Sequence, residues 1–239
     1  MEVEEMAMEE MEENTAPPPR QVPQAGRQPN RVQVILAACG IAGPVLYASV
    51  VIVLGFLRPG YDHLTQVISE LGEVGAPNAI VMNIFGFVLP SLLIFAFAIG
   101  LYRGIRDGRA PIVASALLAV GALGFVGAAL FPCSPGCDPG TSASHFMGGA
   151  IGVGLLLAPF AFWLTLRKDS RWQGYDTYSL VTGVLVLALF TVGFSGMTRP
   201  WDGLGQRVWT GILFLWIVVM AVHLLRLSLW PKAEDVPGR

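Results

Sequence analysis

Six apolar stretches, each close to the roughly 20 residues that a helix needs to cross a hydrocarbon core, dominate this 239-residue chain. They run from about 32 to 57, 80 to 102, 112 to 131, 145 to 166, 179 to 198 and 208 to 230, and none has an Asp, Glu or Lys in its interior. Each is apolar on every side, so they do not read as the amphipathic helices of a soluble core. Hydrophobic residues make up 54% of the chain and charged ones 13%, with a mean hydropathy of +0.60. The expected fold class is therefore all-α membrane, a bundle of six transmembrane helices spanning 32–230, between an acidic, Pro-rich disordered tail (1–31) and a short tail (231–239).

The charge is unevenly spread. Seven of the 17 acidic residues fall in the first thirteen positions, and Pro17, Pro18, Pro19, Pro23 and Pro29 follow them. Such a segment has too little apolar surface to offset the entropy of ordering. Its acidic start is unlike a cleavable signal peptide, which opens on basic residues. Twelve of the 15 basic residues lie on one side of the expected spans, in the two tails and in the loops around Arg103 and Arg167, whereas Arg58, Arg199 and Arg207 lie on the other. Basic residues resist translocation, so both termini are expected in the cytoplasm of a cell-membrane, multi-pass protein, with loops 58–79, 132–144 and 199–207 outside.

Within the spans, Gly121, Gly124, Gly127 and Ala128, and Gly148, Gly149, Gly152 and Gly154, are spaced for close backbone packing inside one bundle. Pro44, Pro90 and Pro159 should kink three helices. No internal repeat is evident, and ionisable groups are nearly absent at mid-span, which argues against a coupled transporter.

The outer loops hold the chemistry. Leu64, Val67, Ile68 and Leu71 recur at helical spacing between Asp62, a suitable cap, and Gly72, a suitable stop, which predicts a short amphipathic helix in the first outer loop. Its opposite face would gather His63, Gln66, Glu70 and Glu73, either solvated at the interface or forming a lid over a site. In the second outer loop a Pro-Gly turn separates Cys133 from Cys137. On the outside such a pair favours a disulfide; a zinc site from Cys133, Cys137, Asp138 and His145 is the alternative, weakened by the lack of a second Cys pair. No cofactor is expected, and Cys39 reads as a packing residue.

Polar side chains also mark the outer ends of the spans. Asn83 sits in the second, His145 opens the fourth and Arg207 precedes the sixth. A cation at a helix N-terminus calls for a compensating anion, with Asp202 and Glu70 as candidates. The same dipole favours neutral His145, suited to act as an acceptor or general base. Each residue alone could simply face water or tie loops together. Together, Glu70, Asn83, His145 and Arg207 outline an outward-facing polar pocket, with Asn83, Arg207 and Asp202 as binding residues and Glu70 and His145 as catalytic candidates.

The run Ile68 to Pro77 (ISELGEVGAP), Asn83, the Phe131-Pro132 turn, His145 and Gly205-Gln206-Arg207 together resemble an uncharacterised prokaryotic membrane family, domain of unknown function 998, over about residues 33 to 230. The resemblance implies six membrane helices and assigns no activity. Three functions stay open. The pocket could bind a lipid headgroup or small anion, it could serve an outer-leaflet hydrolase or transferase using Glu70 and His145, or the protein could move lipid or hydrophobic solutes passively. Membrane lipids are the expected partners and nucleic acid is not. Gly193-Phe194-Ser195-Gly196 matches the nucleophile motif of rhomboid proteases, but Ser195 lies close to the outer end of its span whereas His223 lies about 22 Å below the outer start of the sixth, at a rise of 1.5 Å per residue, so the two cannot pair.

Overall fold

A computed structural model describes residues 30–105, 110–138, 141–143, 145, 150, 152–194 and 200–229. Both expected tails, apart from Asn30 and Arg31, lie outside the described residues, as do Arg106, Arg109, Gly148, Gly149, Ser195 and Arg199. The described residues are all helix, turn and loop. The six main helices are α1 (Arg31–Leu57), α2 (Ala79–Gly104), α3 (Ala110–Leu130), α4 (Val153–Leu166), α5 (Tyr175–Phe194) and α6 (Asp202–Leu229).

Five of them are long and apolar enough to cross a membrane, and the chain is a multi-pass integral membrane protein. The fourth differs from expectation: its 14 described residues from Val153 to Leu166 cover about 21 Å at 1.5 Å per residue. Upstream, Ala143, His145 and Ala150 are also helical.

Consecutive helices pack side by side, and α6 returns to α1, closing a ring. Large apolar side chains such as Phe56, Ile80 and Leu130 face outward, while Ile94, Phe97, Leu213, Ile217 and Met220 fill the interior. Without water to drive burial, the ring relies on close packing. Gly121 and Gly154 show how close: a Cβ on Gly121 would collide with the backbone of Leu155, so only hydrogen fits there.

Local chemistry sets the helix ends and bends. Asn30 caps α1 by accepting from the backbone N–H of Gln33 at 3.3 Å. In α2 the seven residues Met82–Val88, ending two positions ahead of Pro90, are wound as a π-helix, with Leu89 N–H bonded five residues back to Ile84 O. Proline supplies no N–H and crowds the preceding turn, and a widened turn accommodates both defects. Asn83 sits in that widened turn.

The expected amphipathic helix over 62–72 is replaced by two separate turns. Asp62 does cap a turn, accepting from Leu64 N–H at 2.8 Å and Thr65 Oγ1 at 3.1 Å. The chain then extends at Val67 (ψ 154°) before a 3-10 turn over Ile68–Gly72. The cause is competition from α6 for the backbone groups that a continuous helix would use. Leu64 O accepts from Leu204 N at 2.8 Å, Ile68 N–H donates to Gln206 Oε1 at 2.6 Å, and Gln66 O accepts from Arg207 at 2.8 Å. The expected polar face is not solvated either, since Glu70 and Glu73 are 8% and 5% exposed.

Candidate functional site

Polar side chains from several parts of the fold converge on the 58–78 loop and hold it across one end of the ring. Arg58, just past α1, donates to Glu70 O and, at 2.6 Å, to Glu73 Oε1. Asn83 in α2 donates to Gly72 O at 3.0 Å. From α6, Gln206 takes Ile68 N–H, and Arg207 donates to Gln66 O at 2.8 Å and to the Tyr61 hydroxyl at 2.5 Å. The loop's own carboxylate helps, because Glu70 accepts from Val67 N–H at 3.0 Å and Gln66 Nε2 at 2.6 Å. Gly203 completes the seat: a Cβ there would strike the backbone of Gln66.

Arg207 lies within the second turn of α6 rather than ahead of it, because the helix begins at Asp202. Its guanidinium meets neutral oxygens, those of Gln66, Gly203 and Tyr61, and stands 5.6 Å from the Tyr61 ring centre. Burial raises the Tyr61 phenol above its usual range, and Arg207 partly opposes that shift. Asp202 occupies the first turn of α6, where a carboxylate complements the helix dipole.

Cys133 and Cys137 are joined as a disulfide, and their loop is tied to the same structure. Val74 N–H donates to Cys133 O at 2.9 Å, and Gly136 N–H donates to Glu73 Oε2 at 2.6 Å. Glu73 lies beside both sulfurs, but its oxygens are engaged by Arg58 and Gly136 and the sulfurs are bonded to each other. The alternative zinc set is not assembled, because both His145 ring nitrogens face other partners, Phe131 O at 2.9 Å and Ser69 Oγ at 3.2 Å.

That histidine is 6% exposed and its geometry specifies a tautomer. Phe131 O can only accept, so in the neutral ring Nδ1 carries the hydrogen and Nε2 accepts from the Ser69 hydroxyl.

Beneath the loop lies a cavity of about 400 Å³, within the ~300–1,000 Å³ range typical of small-molecule sites. Ile68 and Ser69 form its roof, His145 and Gln206 its polar rim, and Tyr47, Phe87, Phe125 and Phe214 much of its wall. Those four rings pack against one another with centroids 4.8 to 6.5 Å apart. Thr210, one helical turn below Gln206, also lines it, and its buried hydroxyl has no partner among the described residues.

Of the residues singled out from sequence, Asn83, His145 and Arg207 thus meet one loop, of which Glu70 is itself a part, at different points: Gly72 O, the Ser69 hydroxyl, and Gln66 O with the Tyr61 hydroxyl. Sequence reasoning missed the roles of Ser69, Tyr61, Gln206, Thr210 and the cavity. Ser69 and Gln206 stand in the runs that carry the family resemblance, which was the available signal; Tyr61 and Thr210 had none.

A family model described as protein of unknown function (DUF998) matches residues 41–223. No curated protein and no solved structure matches the chain.

Proposed function

Because the chain belongs to the family of proteins of unknown function DUF998 and inherits no activity from it, we propose from the geometry that it binds the hydrocarbon chain of a membrane lipid in the cavity under the 58–78 loop. The carrying observation is a cavity of about 400 Å³ with an aromatic and aliphatic wall and a few polar groups gathered at one end. This is the arrangement that accommodates an apolar chain and orients a polar head. The head would meet Gln206 and Thr210. Arg207, which has no carboxylate within ion-pair distance among the described residues, adds a positive potential that favours an anionic over a cationic headgroup. In this reading Glu70 and Asn83 hold the roof, and Asp202 stabilises the start of the helix beneath it.

The reading includes six membrane crossings, α4 contributing to the fourth, with Ala143, His145 and Ala150 upstream of it also helical. It also places the loop end outside, supported by the disulfide there and by Arg103, Arg167, Lys168, Arg171 and Arg226 at the far end. Passive transport is less well supported, because below the cavity Ile94, Phe97, Trp216, Ile217 and Met220 are fully buried and close the interior.

The test is native mass spectrometry of the full chain in detergent, with and without Ala128→Phe, which fills the cavity from its wall. One bound acyl lipid per protein, lost in the variant at an undiminished melting temperature, is the expected result. Equal lipid retention by both proteins, or no uptake of added phosphatidylglycerol by either, would overturn the reading.

A further inference from the structure

We propose that Ser69 and His145 form a nucleophile and general-base pair at the rim of the cavity, acting on a carboxylic ester whose acyl chain lies in it. This rests on the cavity reading above and adds chemistry to it.

Three observations carry it. Ser69 Oγ lies 3.2 Å from His145 Nε2, the distance at which an imidazole can take a hydroxyl proton. The other ring nitrogen is fixed by Phe131 O at 2.9 Å, which leaves Nε2 as the acceptor and holds the ring in place. Both residues line the cavity, so a bound chain would bring its carbonyl to the serine rather than to bulk water.

The rim also offers donors for the charge that develops on a carbonyl under attack. Gln206 accepts from Ile68 N–H through Oε1, and a backbone N–H can bond only to the oxygen of that amide, so Nε2 carries two hydrogens with no partner among the described residues. The unpartnered Thr210 hydroxyl stands one turn below on the same cavity wall. An orphaned buried donor costs stability in the empty protein, and a carbonyl oxygen would satisfy it.

In the first step Ser69 Oγ bonds to the ester carbon, its proton passes to Nε2, and the carbonyl electron pair moves to oxygen. Collapse restores the carbonyl and breaks the bond to the alcohol oxygen, which leaves with the proton from Nε2. Water then attacks the acyl-serine, giving a proton to Nε2 as its oxygen bonds to carbon. Release of the carboxylic acid returns that proton to Ser69. No oxidant, reductant or metal enters the balance. A backbone carbonyl, rather than a carboxylate, orients the histidine, which suits slow turnover.

The test uses the full chain in detergent and two probes, a decyl fluorophosphonate and p-nitrophenyl decanoate. Expected results are a single phosphonyl adduct mapped to Ser69, its absence in Ser69→Ala, and labelling and ester turnover about 10² to 10⁴ slower in His145→Gln. Binding of spin-labelled stearic acid in each variant reports whether the cavity is intact. If stearic acid binds but Ser69 is never labelled, or is labelled equally in His145→Gln, the pair is refuted and the cavity reading stands. If stearic acid does not bind the wild-type protein, both fail.

Discussion

At the end of the ring away from the 58–78 loop, polar groups are spent on joining elements directly. Asp169, 6% exposed, accepts from the Arg171 guanidinium at 2.5 and 2.9 Å; Arg171 in turn donates to Gly104 O at the end of α2, and His223 of α6 bonds Arg171 O at 2.9 Å. Gln33 of α1 donates to Gly100 O at 2.6 Å. At the loop end, similar side chains hold a segment of irregular backbone over a cavity. Among the described residues, four of the six buried polar atoms without a partner belong to residues of that half: His63, Asn83, Arg207 and Thr210. The other two, Ser115 and Trp172, lie toward the opposite end, which is thus solid and largely satisfied, whereas the loop end is hollow and less so. Unspent hydrogen-bonding capacity beside a void is where a ligand gains most, which is why the proposed lipid is placed there.

The comparison can be broken most forcefully at the saturated end. Asp169→Ala leaves Arg171 without its carboxylate, and breaking a buried pair of this kind costs about 3 kcal/mol, the lower end of the usual range because Arg171 keeps some exposure. Urea unfolding in detergent should register that loss, while the folded variant binds spin-labelled stearic acid with wild-type affinity. A matching loss of affinity would show that the two ends are not separable.

At the loop end the counterpart is the disulfide. Replacing Cys133 and Cys137 by Ser frees a loop closed over a separation of 4 residues, a loss of about 2 kcal/mol by loop-closure entropy. Because this loop bonds Val74 and Glu73, the variant should also bind the chain more weakly. Stability lost with affinity unchanged would mean that the Cys loop does not support the roof.

The two ends were also unequally legible. Helices α1, α2, α3, α5 and α6 could be read because an all-round apolar run of about 20 residues has few other solutions. The loop was misread because Ile68, Leu71 and their neighbours do have helical spacing; what decides their conformation is Gln206 and Arg207, more than 130 positions away, taking Ile68 N–H and Gln66 O. Sequence alone points Arg207 toward a carboxylate because it offers charges to pair, whereas backbone oxygens and the Tyr61 hydroxyl leave no such trace. His145 was recognisable as an acceptor, but not the serine facing it.

A pair of conservative substitutions sharpens the contrast by predicting opposite signs. Thr210→Val removes an unpartnered hydroxyl at constant shape and should stabilise the empty protein by about 1 kcal/mol. Ser179→Ala, in the other half, deletes the acceptor of the fully buried Trp216 Nε1 at 2.9 Å and should destabilise by a similar amount. Melting temperatures that move in the same direction would remove the distinction between saturated and unsaturated halves.

The smallest effect is a pH dependence confined to the loop end. His63 lies between Phe56 and Tyr61, with both ring centroids 5.3 Å away. Burial lowers its pKa from 6.5 and the Arg207 charge adds to that, while Asp62 opposes. The folded protein therefore binds fewer protons at this site than the unfolded chain, so stability rises with pH across the interval just below 6.5 and is flat above it. Acidification through that interval should lower the melting temperature slightly, by less than any substitution above, since the ring is partly solvated. In His63→Gln that part of the slope should vanish. If the variant keeps the full wild-type slope, the acid sensitivity arises elsewhere and His63 is merely packed against the loop.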